Sequence, residues 1–488
     1  MTPESRGISS FEIEKIVRKL NKKQVPMHSL LIARGDDIVY SAYWAPFARD
    51  TLHRMNSITK SYVGLAIGLL AYEGKLSLDD SVIKFFPEIE AKDIDFYTSE
   101  LTVRDLLCMK TACSKESGHW IRDKRYDRIS DFFTLPQKKP RNTLFRYDTA
   151  GSYILTVIAE RLAGKSFIEY LKEKALLKIG FSENAHCIKD FCGYSWGDSG
   201  LLCTSEDLFL TARLIAKGGI WNGERLMDAD FLKDAVSVIS STCTSGWNSY
   251  TSKGYGYQIW CEEDGGFAFH GMGGQLMICM PSKDVTVVCT ADTQGFDEGR
   301  HLCKQLIYDF IDELSDEPLP EDSDAFNSLC EYTNSLKLVS LDLGKKSSSI
   351  KKNVNGVKYR LDKNPMGIKW LCLDLADEGG SLVYENEQGE KTIPFKMNEN
   401  IFAEFPENDY YDRILGQSDA SYHHPIAVSA SWLSETNLGI KVQFIGDHLA
   451  GLFINIGFDG DRIGLHMVKN TNCFLDKYNG YSCGVAER

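Results

Sequence analysis

"SITKSYVGLAIGLLAYEGKLSLDD", residues 57–80, reads as a helix running into a polar turn. From Tyr62 to Tyr72 it is almost wholly apolar, and Gly64, Ala66, Gly68 and Ala71 punctuate it. A helix apolar on every side belongs inside a protein, with small residues letting its neighbours come close. Its first turn nonetheless carries a serine, Ser57, and three positions on a lysine, Lys60. Residues i and i+3 share a helix face, so the amine can reach the hydroxyl. Burial favours the neutral form of an amine, and a neutral amine can take a serine proton and make the oxygen a nucleophile. The helix N-terminus adds backbone N–H groups where negative charge would develop. The alternative is bland: Ser57 caps the helix and Lys60 snorkels to water. A second copy of the spacing, Ser348-Ser349-Ile350-Lys351, sits in the polar stretch "GKKSSSIKKN", where neither residue needs special explanation.

The chain of 488 residues exceeds what one hydrophobic core usually serves, so two domains are expected. A net charge of −13, with no block of Lys and Arg, argues against nucleic acid as a partner. The opening "MTPESRGISSFEIEKIVRKLNKKQ" lacks the apolar core of an export signal. No uninterrupted apolar stretch reaches the ~18 residues of a membrane span. Fourteen cysteines lie singly, with no C-x-x-C pair, which reads as reduced thiols in a cytoplasmic protein. His423-His424 lacks carboxylate or cysteine companions nearby, so no metal is expected, and no cofactor motif is present.

Residues 8–25 read as an amphipathic helix with Phe11, Ile13, Ile16, Val17 and Leu20 on its apolar face. "HSLLIARGDDIVYSAYW" follows as a hairpin. Helical patterns then dominate, including "SYILTVIAERLAG" and "SEDLFLTARLIAKGG", each stopped by glycine. Strand character returns at "YGYQIW", "FAFHGMGGQLMICMP" and "DVTVVCTAD", before a last helix in "GRHLCKQLIYDFIDEL". The expectation is an α+β fold: an antiparallel sheet flanked by helices in residues 1–314, with a helical subdomain at about 57–250. The acidic, proline-containing "SDEPLPEDSD", residues 315–324, reads as a linker. Short alternating runs beyond it, such as "LGIKVQFI" and "GLFINIGFDG", predict an all-β domain at 325–488, an antiparallel barrel or meander.

Two further stretches bear on Ser57. "LFRYDTAGSYILTVIAERLAG" sets Tyr147 just before a helix, where a phenol near a cation such as Lys60 can relay a proton, or simply pack in the core. "FHGMGGQ" crowds three glycines into what reads as a strand. Glycine weakens strand pairing, so either something approaches that backbone closely or the strand bulges.

Taken in order, Ser57-Ile58-Thr59-Lys60, Tyr147-Asp148-Thr149 and Phe269-His270-Gly271 resemble the three motifs of the serine β-lactamase and penicillin-binding-protein superfamily. The surroundings, "LTVRDLLCMKTA", "GLLCTSEDL" and "GMGGQLMICMPSKDVTVV", sharpen this to the class C β-lactamase-like branch over about residues 25–312. The wording is most similar to 6-aminohexanoate-dimer hydrolases and related esterases. The resemblance implies that Ser57 is the acylated nucleophile, Lys60 its base and Tyr147 the proton relay. It implies an oxyanion hole from the backbone N–H groups of Ser57 and Met272, with Gly271 closing the third motif. The tail resembles β-rich domains appended to many such hydrolases.

Thr149, Asp148, His270 and Gly271 are the substrate-binding candidates, and two of the motif positions depart from the family. Thr149 stands where asparagine is usual, and Asp148 adds a negative charge that either favours a cationic substrate or points to solvent. Phe269 occupies the place of a basic residue, and His270 is only partly charged at neutral pH. A one-residue shift would put His270 first but lose the glycine. A carboxylate grip is therefore weak, which counts against penicillins and cell-wall peptides. The implied function is a cytoplasmic serine hydrolase acting on a small ester or amide, without cofactor, nucleic acid or membrane. The alternatives are a penicillin-recognising amidase of the β-lactamase or D-alanyl peptidase type, and a catalytically silent scaffold.

Overall fold

Ser9 opens the first helix by accepting a hydrogen bond from the Glu12 N–H, one of the donors that a helix start leaves unpaired. This helix, α1 (Ser10–Lys22), buries Ile13, Val17 and Leu20, whereas Phe11, expected on that face, is 61% exposed. The computed structural model describes residues 2–487 apart from 91, 93, 112–126, 135–138, 243–252, 408–422 and 472–474. It divides into two compact units, Met1–Ala291 with Glu298–Lys337, and Asp292–Asp297 with Leu338–Arg488.

The first unit is built on a seven-stranded sheet. Its strands are β1 (Met27–Arg34), β2 (Asp37–Tyr43), β3 (Gly254–Tyr255), β4 (Trp260–Cys261), β5 (Phe267–Gly271), β6 (Gln275–Met280) and β7 (Val285–Ala291). They lie in the order β2-β1-β7-β6-β5-β4-β3, antiparallel at every pairing. Pairing of β1 with β7, Leu30 opposite Cys289, joins the first hairpin to the later strands, so the helical segment between β2 and β3 is an insertion in the sheet's chain order.

Two stretches read as single strands are hairpins. In "YGYQIW" the chain turns at Gln258, whose φ is 60°. Its buried amide donates to the Leu106 and Leu107 carbonyls and its Oε1 accepts from Ser152, which makes the turn a tie between helices. In "FHGMGGQ" the chain turns at Gly273 and Gly274, with φ of 83° and 92°, values that cost a side chain steric strain and glycine none.

Helix α2 (Thr59–Tyr72) is the core of this unit, with every residue from Thr59 to Leu70 buried. Its small residues serve the close packing that the sequence predicts. A Cβ on Gly68 would meet the Phe231 ring at 2.3 Å, and one on Gly64 would lie 3.0 Å from the Tyr257 carbonyl oxygen. Each fully buried Leu or Ile here is worth roughly 1.5–3 kcal/mol. Helix α3 (Thr149–Ala163) packs on α2 and stops at Gly164 in the left-handed region. Helix α4 (Ser205–Ala216), opened by a Thr204–Asp207 capping box, covers β1, β6 and β7.

After β7 come α5 (Asp297–Asp312) and α6 (Ser323–Asn334). The acidic stretch is thus followed by a helix of the first unit, in which the Tyr332 hydroxyl accepts from Asn21 Nδ2 of α1 at 2.9 Å. Apart from Asp292–Asp297, the second unit accordingly starts at Leu338 rather than at 325.

That unit is a ten-stranded sheet: β8 (Lys358–Leu361), β9 (Trp370–Leu375), β10 (Gly379–Asn386), β11 (Gly389–Met397), β12 (Ile401–Glu404), β13 (Pro425–Ser434), β14 (Asn437–Ile445), β15 (Leu449–Asp459), β16 (Arg462–Lys469) and β17 (Gly480–Ala486). Antiparallel neighbours run β11-β10-β9-β8-β17-β16-β15-β14-β13-β12, and a short parallel pairing of β11 with β13 closes the barrel. Alternation decides its lining, as in β15, where Leu452, Ile454 and Ile456 are buried and their neighbours less so. Among the described residues no helix is long and apolar enough to cross a membrane.

Candidate active site

Ser57 sits in a short 3₁₀ turn, Asn56–Ile58, just ahead of α2. Asn56 holds a φ of 48°, a left-handed conformation that asparagine tolerates better than most residues. Its carbonyl accepts from Thr59 Oγ1 at 2.6 Å, and that oxygen accepts in turn from the Leu201 N–H. The α-helix starts from Ile58 with no side-chain cap, so the Ser57 hydroxyl does not cap it. Lys60 does not snorkel either, being only 1% exposed. Its Nζ donates to Ser57 Oγ at 3.1 Å and to the Asp198 carbonyl at 2.6 Å. Tyr147 joins them, with its ring centroid 5.2 Å from the same Nζ. Ser57 and Tyr147 are half-buried.

Behind the lysine lies a buried ionic cluster that sequence reasoning missed. Arg128 Nη2 donates to Asp198 Oδ2 at 2.5 Å and Nη1 to Asp190 Oδ2 at 3.3 Å. Trp196 Nε1 donates to the other Asp198 oxygen at 2.6 Å. The guanidinium also lies 3.6 Å from the Tyr153 ring centroid. Burial raises the Asp190 pKa, and Arg128 works against that rise. These partners fix Asp198, whose main-chain carbonyl receives Lys60. Their signal in the sequence is three isolated charged residues with no pattern between them.

The third motif ends beside the turn that carries Ser57. A Cβ on Gly271 would lie 2.3 Å from the Met55 carbonyl oxygen, so this glycine admits the backbone of the turn carrying Ser57. The Met272 carbonyl accepts from Asn56 Nδ2 at 2.8 Å and from Gln275 Nε2 at 2.9 Å. Strand alternation separates the two preceding residues. Phe269 is fully buried, edge-on to Tyr62 at 6.1 Å. His270 faces the other way, stacked 5.4 Å from Trp260, which stacks in turn 5.9 Å from Tyr147. His270 Nε2 is 3.6 Å from Glu262 Oε1, which also faces Lys304 Nζ at 3.4 Å. Burial, assisted by the Lys304 charge, pushes the imidazole down to about 4, so it is neutral at pH 7 and offers no cation to an anionic substrate.

The second motif departs from both readings of Asp148. Its carboxylate is 4% exposed and accepts from the Ala150 N–H at 3.1 Å, capping α3 rather than pointing to solvent or offering an open charge. Thr149 begins α3 and is half-buried. Among the described residues, no group of His, Cys, Asp and Glu could hold a metal ion, and the eleven cysteines are free thiols.

Comparison with known proteins bears on the family and fold of the chain. The chain is 25% identical to the 6-aminohexanoate-dimer hydrolase of Paenarthrobacter ureafaciens over 279 residues, covering 53% of this chain and 71% of that protein. It is 29% identical to esterase EstB of Burkholderia gladioli over 110 residues, 20% of this chain and 27% of that one. A solved structure assigned as a 6-aminohexanoate-dimer hydrolase from Bacillus anthracis superposes with a TM-score of 0.52 at 19% identity, covering 62% of this chain and 83% of its own. The structure of SurE with D-Leu gives a TM-score of 0.50 at 16% identity, over 91% of this chain and 98% of its own. At such identities these two structures speak for the fold. The family model described as Beta-lactamase matches residues 13–310, a span that holds Ser57, Lys60, Tyr147 and Met272. With its sheet, its inserted helices and its hydrolase relatives, the chain belongs to the beta-lactamase family.

Proposed function

We propose that the protein is a serine hydrolase that cleaves a small ester or amide through an acyl-enzyme on Ser57. One observation carries the reading: a buried amine, Lys60 Nζ, lies 3.1 Å from the hydroxyl of the half-buried Ser57. Ser57 Oγ adds to the substrate carbonyl while its proton passes to the Lys60–Tyr147 pair. The pair returns that proton to the departing alcohol or amine as the carbonyl–leaving-group bond breaks. A water molecule then hydrolyses the acyl-enzyme by the same route and restores the serine.

The backbone N–H groups of Ser57 and Met272 are the proposed donors to the oxyanion, and loss of one such donor typically costs about 3 kcal/mol of transition-state stabilisation. A small amide or ester suits the names of the two relatives, a dimer hydrolase and an esterase. The neutral His270 and the inward Phe269 favour a substrate that needs no carboxylate grip. Thr149 and Gly271 line the approach in this reading, Thr149 offering one hydroxyl where the family offers an amide. Free thiols at the described cysteines suit the reducing cytoplasm.

The test is labelling by a fluorophosphonate probe together with turnover of a panel of nitrophenyl esters. Wild type is expected to do both and Ser57→Ala neither. Labelling that survives Ser57→Ala would place the nucleophile elsewhere. A wild type that neither labels nor turns over any ester would leave a scaffold role instead. Stable acylation by a fluorescent penicillin at Ser57 would move the substrate class to β-lactams.

A further inference from the structure

We infer that Asn56 and Gln275 are positioning residues that clamp the Met272 half of the oxyanion hole to the nucleophile turn, an assignment that rests on the acyl-enzyme reading above. Both side-chain amides donate to one acceptor, the Met272 carbonyl, at 2.8 and 2.9 Å. A carbonyl oxygen has two lone pairs, so this one is saturated and its direction set.

The two donors are anchored independently. Gln275 is fully buried; its Nε2 also donates to the Ala291 carbonyl at 2.7 Å, and its Oε1 accepts from the Ala291 N–H at 3.2 Å. It therefore ties Met272 to β7, inside the sheet. Asn56 is 4% exposed and immediately precedes Ser57, so its side chain ties Met272 to the residue next to the nucleophile. The left-handed φ of 48° is the conformation in which this side chain reaches back to the third motif.

The clamp is placed where the backbone most needs one. Met272 is followed by Gly273 and Gly274, both left-handed, which is the least constrained backbone of the hairpin. On its other side Gly271 rests against the Met55 carbonyl, where a Cβ would be at 2.3 Å. An oxyanion donor stabilises a transition state only if it is already in position when charge develops. The asparagine ties that position to the Ser57 turn and the glutamine ties it to β7.

Asn56→Gly keeps the left-handed backbone and removes only the donor. Its kcat on a nitrophenyl ester is expected to fall about 10- to 100-fold, with KM within about twofold and the shape of the pH profile unchanged. Asn56→Asp keeps the side-chain shape but turns a carboxylate oxygen toward the carbonyl, and its kcat should fall at least as far; it carries the test should the glycine variant not fold. A kcat equal to wild type in either folded variant overturns the clamp, as does a loss confined to KM. Wild type and Ser57→Ala run beside them separate the two claims. If Ser57→Ala retains turnover, the acyl-enzyme reading fails and the clamp with it. If Ser57→Ala is dead while the Asn56 variants match wild type, the clamp alone fails.

Discussion

The chain carries the Ser-x-x-Lys spacing twice, and the two copies end in different chemistry. At the second copy Ser348 donates to the Glu435 carbonyl at 2.5 Å, and Lys351 donates to the Ala376 carbonyl at 2.8 Å and to Asp377 Oδ1 at 3.0 Å. Serine and lysine there look to different loops, and the lysine pairs with a fully exposed carboxylate. At the first copy the lysine is dry, and its partners are a hydroxyl and a main-chain carbonyl. Equal spacing gives equal reach. What separates the copies is burial, together with a second acceptor that carries no formal charge. An amine bonded to a hydroxyl has a direct proton route to it, whereas one bonded to a carboxylate and a distant carbonyl has none to its serine.

The contrast is open to direct attack, most sharply through the serines. Ser57→Ala is expected to lower kcat/KM toward a nitrophenyl ester at least about 10⁴-fold, while Ser348→Ala leaves it unchanged; steady-state kinetics on the pair decides. The lysines come next. Lys60→Met should cost about 10²- to 10⁴-fold in kcat, and Lys351→Met should move neither kcat nor the melting midpoint.

The supporting charges differ in the same way. Arg128→Ala strands two buried carboxylates and is expected to cost about 3–5 kcal/mol in urea denaturation. The smallest effect concerns His270. Its folded pKa of about 4 lies below the ordinary 6.5, so the unfolded chain takes up its proton first as pH falls. The stabilisation is full above pH 6.5, is lost between 6.5 and 4, and does not decline further below 4. Over that window wild type should lose roughly 3 kcal/mol that His270→Gln keeps. Denaturation curves of equal pH dependence would show the imidazole to be solvated.

Much of the first unit was readable along the chain. The helix at α1, the β1–β2 hairpin, the buried α2 and the glycine stop of α3 all follow from patterns within a few residues. The misreadings share one cause. "YGYQIW" and "FHGMGGQ" have strand composition, yet Gln258, Gly273 and Gly274 turn the chain at positive φ. At Gln258 the turn is held by a side chain bonding to helices far away in sequence. Asp148 looked like a free charge beside a tyrosine, but it caps the helix that follows. The acidic stretch reads as a linker, yet the helix after it packs back on α1 and belongs to the first unit.

The Ser57–Lys60 contact is local: three residues of helix geometry suffice to bring amine to hydroxyl, and the order of residues is enough to foretell it. The amine's other surroundings are not local. Asp198 comes from 138 positions away, and the Met272 carbonyl reaches Asn56 across 216. Periodicity reports which face of an element is apolar, because it repeats every few residues. It carries no record of which distant carbonyl, guanidinium or ring will meet that face. Those partners, and the dryness that distinguishes one Ser-x-x-Lys from the other, exist only once the sheet and helices have packed.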